Sequence, residues 1–111
     1  MKEGRFEVEL TQGAEDDLEA IHDYLVRHRS KDAAEALLDG FIEKISTLER
    51  YPARGSVPRE LEELGIREFR QILLDPYRLI YRIIASKVVI FVIADGRRDI
   101  QALLERRLLG R

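Results

Sequence analysis

The stretch from Arg67 to Asp99, REFRQILLDPYRLIYRIIASKVVIFVIADGRRD, leaves the chain few ways to fold. Successive side chains of a strand alternate faces. Tyr77, Leu79, Tyr81 and Ile83 therefore point one way, and Arg78, Ile80, Arg82 and Ile84 the other. The run that follows, Lys87 to Ala94, is nearly all Val, Ile and Phe. It is far shorter than the ~20 apolar residues of a membrane span and too β-branched for a comfortable helix, so it reads as a strand buried on both faces. Asp75-Pro76 and Ala85-Ser86 fall where turns are required, because proline fixes φ and removes a ladder donor while small residues tolerate turn geometry. Three antiparallel strands joined by tight turns follow.

The flanking segments supply helices. Phe6, Val8 and Leu10 alternate with Glu7 and Glu9 as a half-buried first strand. Thr11 is a natural N-cap, and Glu15, Asp16 and Asp17 crowd the first turn, where the helix dipole favours negative charge. Ala14, Leu18, Ile21 and Leu25 then recur at helical spacing, with Tyr24 on the flank and Arg27, His28 and Arg29 at the C-terminal end. Ser30 caps a second helix whose buried stripe is Ala34, Leu37, Phe41, Ile45 and Leu48, and so short a connection makes the pair antiparallel. Gly40 interrupts this helix, either for close approach of a neighbour or as a tolerated defect. Pro52 ends the helix by Tyr51, and residues 52–65 form a long loop in which Pro58 to Leu64 can make a helical turn with Pro58 at its first position. After the sheet, Ile100, Leu103, Leu104 and Leu108 share one helical face, while Arg106, Arg107 and Arg111 are expected to be mainly solvated. The expected fold is α+β: an N-terminal strand, an antiparallel helical hairpin on a small, mainly antiparallel sheet, and a C-terminal helix, all one domain over residues 1–111.

Composition narrows the chemistry. With no cysteine, disulfides and thiolate metal sites are excluded. His22 and His28 are six apart and share no helical face, so neither a metal site nor any cofactor is expected. Gly96 alone makes no phosphate loop, and Ser46, Ser56 and Ser86 lack a nucleophile motif. The charged segment Met1 to Leu10 lacks the apolar centre of a secretory signal, which makes a cytoplasmic location, away from membranes, the expectation. The net charge of -2 conceals an asymmetry: residues 12–49 hold 4 Lys/Arg against 10 Asp/Glu, and residues 50–111 hold 13 against 8. Either two surfaces serve different partners or the acidic hairpin is simply solvated.

What remains is arginine. Arg78 and Arg82 share a sheet face, Arg70 is expected to reach it from the preceding strand, and Arg97-Arg98 leave the last strand together. Arginine forks hold phosphates or carboxylates at two points, so the set suggests a concave face for an anionic partner, against the alternative of a wet polar face. Tyr77 and Tyr81 lie on the opposite face and read as core.

The segments LTQGAEDDLEAIHDYL, LERYPARG, PYRLIYRI, VVIFVIADGRRD and LLERRL, in this order and spacing, resemble the RelE/ParE superfamily of toxins from bacterial toxin–antitoxin pairs. The resemblance covers nearly the whole chain. It implies a small α/β toxin neutralised by a cognate antitoxin that wraps around it, with operator DNA bound only through the antitoxin. RelE-like members cleave messenger RNA on the ribosome, and Arg78 and Arg98 match two arginine positions of that catalytic set. Its tyrosine falls at Leu104 here, no tyrosine follows Tyr81, and Phe69, Arg70 and Gln71 stand where lysines are expected. Arginine, permanently charged, moves protons poorly. ParE-like members poison DNA gyrase without such a set, and the LTQGAEDDL opening, the YPARG exit and the GRRDIQALL ending are closer to that branch, although Asp95 replaces a frequent histidine. The leading expectation is therefore a ParE-like plasmid-stabilisation toxin, with Arg70, Arg78, Arg82, Arg97 and Arg98 contacting target or antitoxin. The alternatives are a RelE-like endoribonuclease acting on ribosome and mRNA, with Arg78 and Arg98 catalytic, and a non-toxic relative that regulates its operon.

Overall fold

The computed structural model describes residues 5–110. Strand β1 (Glu7–Leu10) leads into helix α1 (Gln12–His28). Thr11 caps α1 as its composition demands: the residue is extended and its Oγ1 accepts from Ala14 N at 3.1 Å. Arg29 and Ser30 separate α1 from α2 (Lys31–Ser46), where Ser30 Oγ accepts from Ala33 N at 2.9 Å. Helix α2 tightens into a single 3-10 turn at Thr47–Glu49 before Pro52. The short α3 spans Arg59–Glu62, so Pro58 is its N-cap rather than its first helical residue. Strands β2 (Phe69–Leu74), β3 (Tyr77–Ile84) and β4 (Lys87–Asp95) follow, and α4 (Ile100–Leu109) closes the described chain. Arg111, expected to be solvated, lies outside the described residues.

The four strands form one mixed sheet in the order β1-β4-β3-β2. β1 runs parallel to β4, while the β2–β3 and β3–β4 pairs are antiparallel and joined by the two expected turns. Asp75-Pro76 is a cis peptide, and Ala85 adopts φ 56 at the second turn. The β3–β4 register slips at Ile80/Tyr81, where Ile80 faces Val92 but Tyr81 faces Ile90. Phe91 is the extra residue of this bulge, which changes the alternation of β4 midway.

Both faces of the sheet are covered. Ala14, Phe41 and Leu48 of the helical segments bury against Ile72, Leu79, Tyr81, Val88, Ile90 and Ile93. On the opposite face Leu61 of α3 and Ile100, Leu103 and Leu104 of α4 close over Phe69, Ile80, Val92 and Ala94. Each buried Val, Leu, Ile or Phe among them contributes about 1.5–3 kcal/mol on leaving water. The central position of β4 between two layers explains its unbroken apolar run. It also corrects the expected arginine-lined open face: α3 and α4 cover much of the side to which Arg78 and Arg82 point. Gly40 sits against β2, where a Cβ would lie 3.2 Å from Leu74 Cδ2, so close helix approach is the reading that the packing supports.

Candidate functional site

The arginines do not form one surface. Arg70 pairs across the sheet with Tyr81, and cross-strand partners share a face, so Arg70 lies opposite Arg78 and Arg82 instead of beside them. The turn explains this correction. With only Asp75 and Pro76 between Leu74 and Tyr77, even-numbered residues of β2 must face odd-numbered residues of β3. Arg70 Nη1 donates to the carbonyls of Ala53 (3.2 Å) and Gly55 (2.7 Å), tying down the loop after α2.

Arg78 is engaged within the molecule. Its Nη1 and Nη2 donate to the Glu60 carboxylate at 2.9 and 2.8 Å, and its Nε donates to Gln71 Oε1 at 2.7 Å. Only 14% of the arginine side chain is exposed. The Arg78 hydrogen bonds hold the Glu60 carboxyl below its ordinary range, against the opposing effect of its burial. Arg82 lies over the Phe69 ring, its Cζ 5.9 Å from the centroid.

Arg97 and Arg98 stand at the exit of β4. Arg97 donates through Nε (2.9 Å) and Nη2 (2.6 Å) to Asp95, and the pairing holds the Asp95 carboxyl at about 2. Asp95 thus neutralises one member of the arginine pair. Arg98 is exposed, and among the described residues its guanidinium has no partner. It lines a cleft of about 330 Å³ with Asp17, Ile21, Tyr24, Tyr77, Ile93 and Arg97. A second groove of about 520 Å³ shares Tyr24, Tyr77 and Arg97 and continues past His28 and Arg29 to Pro76. Tyr24 stacks on His28 with centroids 4.2 Å apart, while burial and the nearby Asp95 raise the Tyr77 hydroxyl. This aromatic trough between α1 and the β2–β3 turn, lined by Arg29, Arg97 and Arg98 and equally by Asp17, Asp75 and Asp95, is the candidate binding site. Arg98 at one end, exposed and without a carboxylate partner among the described residues, is a point at which an anionic group can dock. Among the described residues no three His, Cys, Asp or Glu side chains gather as a metal site, and no helix is long and apolar enough to cross a membrane.

Two polar contacts were not anticipated. Asp17 is more than a helix N-terminus: its carboxylate receives Arg107 and the backbone N–H of Ile93. Arg107 is accordingly half-buried, contrary to the expectation that it is solvated. Tyr81, buried as expected, uses its hydroxyl to bridge Pro52 O and Gly55 N.

A strand, a helical hairpin, an antiparallel three-strand trio and a closing helix define the small α+β toxins of RelE/ParE type. The model of the family described as the ParE toxin of the type II toxin–antitoxin system parDE matches residues 8–100, and the chain belongs to that family. Among solved structures, a chain of the chromosomal ParDE toxin–antitoxin system from P. aeruginosa superposes with a TM-score of 0.69 at 19% identity, covering 83% of this chain and 97% of that one. A chain of the toxin–antitoxin complex RelBE2 from Mycobacterium tuberculosis gives 0.56 at 24% identity, covering 84% and 93%. These similarities concern the fold. No curated protein sequence matches significantly.

Proposed function

We propose that this toxin acts as ParE-like proteins do, by inhibiting DNA gyrase in the cytoplasm, and that a cognate antitoxin encoded beside it holds it inactive. The observation that carries this reading is the state of Arg78. Cleavage of RNA by the alternative mechanism needs that arginine free to stabilise charge developing at phosphorus. Here Glu60 already occupies both Nη atoms and Gln71 takes Nε. A carboxylate in this position competes with a phosphate for the same donors. Neither tyrosine nor histidine occurs in α4 to move a proton. The exposed Arg98 and the trough beside it offer a protein contact instead.

Arg97, Arg98 and Arg82 are assigned to contacts with target or antitoxin, Arg78 to the support of α3, and Arg70 to the support of the loop after α2. Operator DNA is reached only through the antitoxin. The test is a supercoiling assay with purified gyrase and relaxed plasmid, run beside a ribosome-programmed mRNA cleavage assay. Loss of supercoiling with intact mRNA supports the reading. Codon-specific mRNA cleavage with normal supercoiling means that Glu60 releases Arg78 on the ribosome and that the nuclease alternative holds.

A further inference from the structure

The segment Arg50–Gly55 leaves α2 and returns to the sheet edge under tight control. Two sheet side chains fix four of its backbone groups. Tyr81 Oη donates to Pro52 O (2.7 Å) and accepts from Gly55 N (3.0 Å), and Arg70 donates to Ala53 O (3.2 Å) and Gly55 O (2.7 Å). Gly55 permits this approach, since a Cβ there would collide with the carbonyl of Gln71 and sit 2.7 Å from Tyr81 Oη. While the backbone is held, the side chains face solvent. Tyr51 is 65% exposed, the largest exposure among the large apolar residues of the described chain, and Arg50 and Arg54 are exposed on either side of it.

The charge here is uncompensated. Among the described residues Arg50, Arg54 and Arg70 form no ion pair: Arg54 donates to the neutral Thr47 Oγ1 at 2.7 Å and Arg70 meets only carbonyls, while the adjacent Glu49 is taken by Arg5. A rigid loop that presents tyrosine between arginines has the composition of an interface hot spot, and rigidity lowers the entropy lost on docking. None of its residues lines the Tyr24–Arg98 trough, so it is a separate surface.

We propose that this loop is where the toxin grips an acidic surface of its protein target, Tyr51 filling an apolar depression and Arg50 and Arg54 pairing with carboxylates around it. This rests on the toxin reading above. A protein is favoured over a nucleic acid because the chain as a whole is acidic, with a net charge of -2 and a pI near 5.7, which opposes approach to a phosphate backbone.

The test compares the full chain with Tyr51→Ser and with the Arg50→Glu/Arg54→Glu double variant, the first of which removes an exposed side chain that makes no side-chain hydrogen bond among the described residues. Three readouts are taken: binding to purified gyrase by interferometry, growth arrest on induced expression, and anisotropy of a labelled DNA duplex. The expected result is a Kd for gyrase raised at least tenfold in both variants, growth arrest lost in parallel, and no duplex binding by the free protein. Variants that bind gyrase and arrest growth like the parent overturn the proposal, as does duplex binding that the charge reversal abolishes. If the parent arrests growth without binding gyrase, the gyrase reading fails by itself, and the loop is then judged by whether the variants still arrest growth. A parent that does neither overturns both.

Discussion

Arg107 and Asp17, 90 residues apart in sequence, form a two-point ion pair with both N···O distances at 3.0 Å. Its position explains its use. β1 pairs with β4 only as far as Ile90, and the chain then turns into α1, leaving that edge of β4 without a strand neighbour from Phe91 onward while β3 still pairs along the other edge. Arg107 Nη2 takes the free carbonyl of Phe91 at 2.9 Å, and Asp17 Oδ2 accepts from Ile93 N at 3.0 Å. The pair closes an exposed sheet edge and ties α1, β4 and α4 together.

Removing either member strands the other. Asp17→Ala leaves a half-buried guanidinium and an orphaned Ile93 N–H, and Arg107→Ala leaves the carboxylate and Phe91 O. Each is expected to cost about 1.5–3 kcal/mol, the range for hydrogen bonds to charged groups. Because the two changes disrupt one unit, the double variant should cost little more than either single one. Urea unfolding of the four proteins measures both quantities, and additive losses would mean that the pair does not act as a unit.

The Glu60–Arg78 contact predicts a pH dependence. Glu60 has its pKa lowered from 4.5 in the folded protein, chiefly by the Arg78 hydrogen bonds. Its contribution to stability is therefore fully present above about pH 4.5 and is lost as pH falls through the lower folded value. Glu60→Gln is expected to unfold more easily than the parent at pH 6. The gap should close as the solution is acidified below pH 4.5. A gap that stays constant from pH 6 to pH 3 would show that the Glu60 charge contributes nothing.

Tyr81→Phe tests the anchoring of the loop after α2. Deleting the hydroxyl leaves Pro52 O and Gly55 N without their partner in a largely buried setting, at an expected cost of about 1–3 kcal/mol. Hydrogen exchange should show the Gly55 amide losing protection while the strand amides keep theirs. Unchanged protection would mean that Arg70 and the Ser56–Gln71 backbone pair hold the loop without the Tyr81 hydroxyl.

Arg98→Ala is expected to weaken toxicity while changing stability by no more than about 0.5 kcal/mol, since an exposed side chain outside both cores carries little folding energy. Growth curves after induction, read beside a thermal melt, separate the two effects. A large drop in melting temperature would make Arg98 a structural residue.

Local chemistry was the legible part of the sequence. The caps at Thr11 and Ser30, the turns at Asp75-Pro76 and Ala85-Ser86 and the stripe of α4 all depend on neighbours in the chain. Register was legible in principle, since a two-residue turn already places Arg70 opposite Arg78. The bulge at Phe91 leaves no mark in an apolar run where every residue is hydrophobic. Asp17–Arg107 and Glu60–Arg78 join residues that only the assembled layers bring together, so each arginine looked free until its carboxylate was located. Of the five arginines expected at the site, Arg78 is thus withdrawn by Glu60 and Arg70 by the register of the turn and the carbonyls it holds.

The central claim is that this toxin acts on DNA gyrase, and the most direct test is pulse-labelling of DNA and protein synthesis within minutes of induced expression in bacteria. DNA synthesis should fall first, with translation continuing until damage accumulates. An immediate collapse of protein synthesis, with DNA labelling intact, would contradict the account and favour the ribosome-directed alternative.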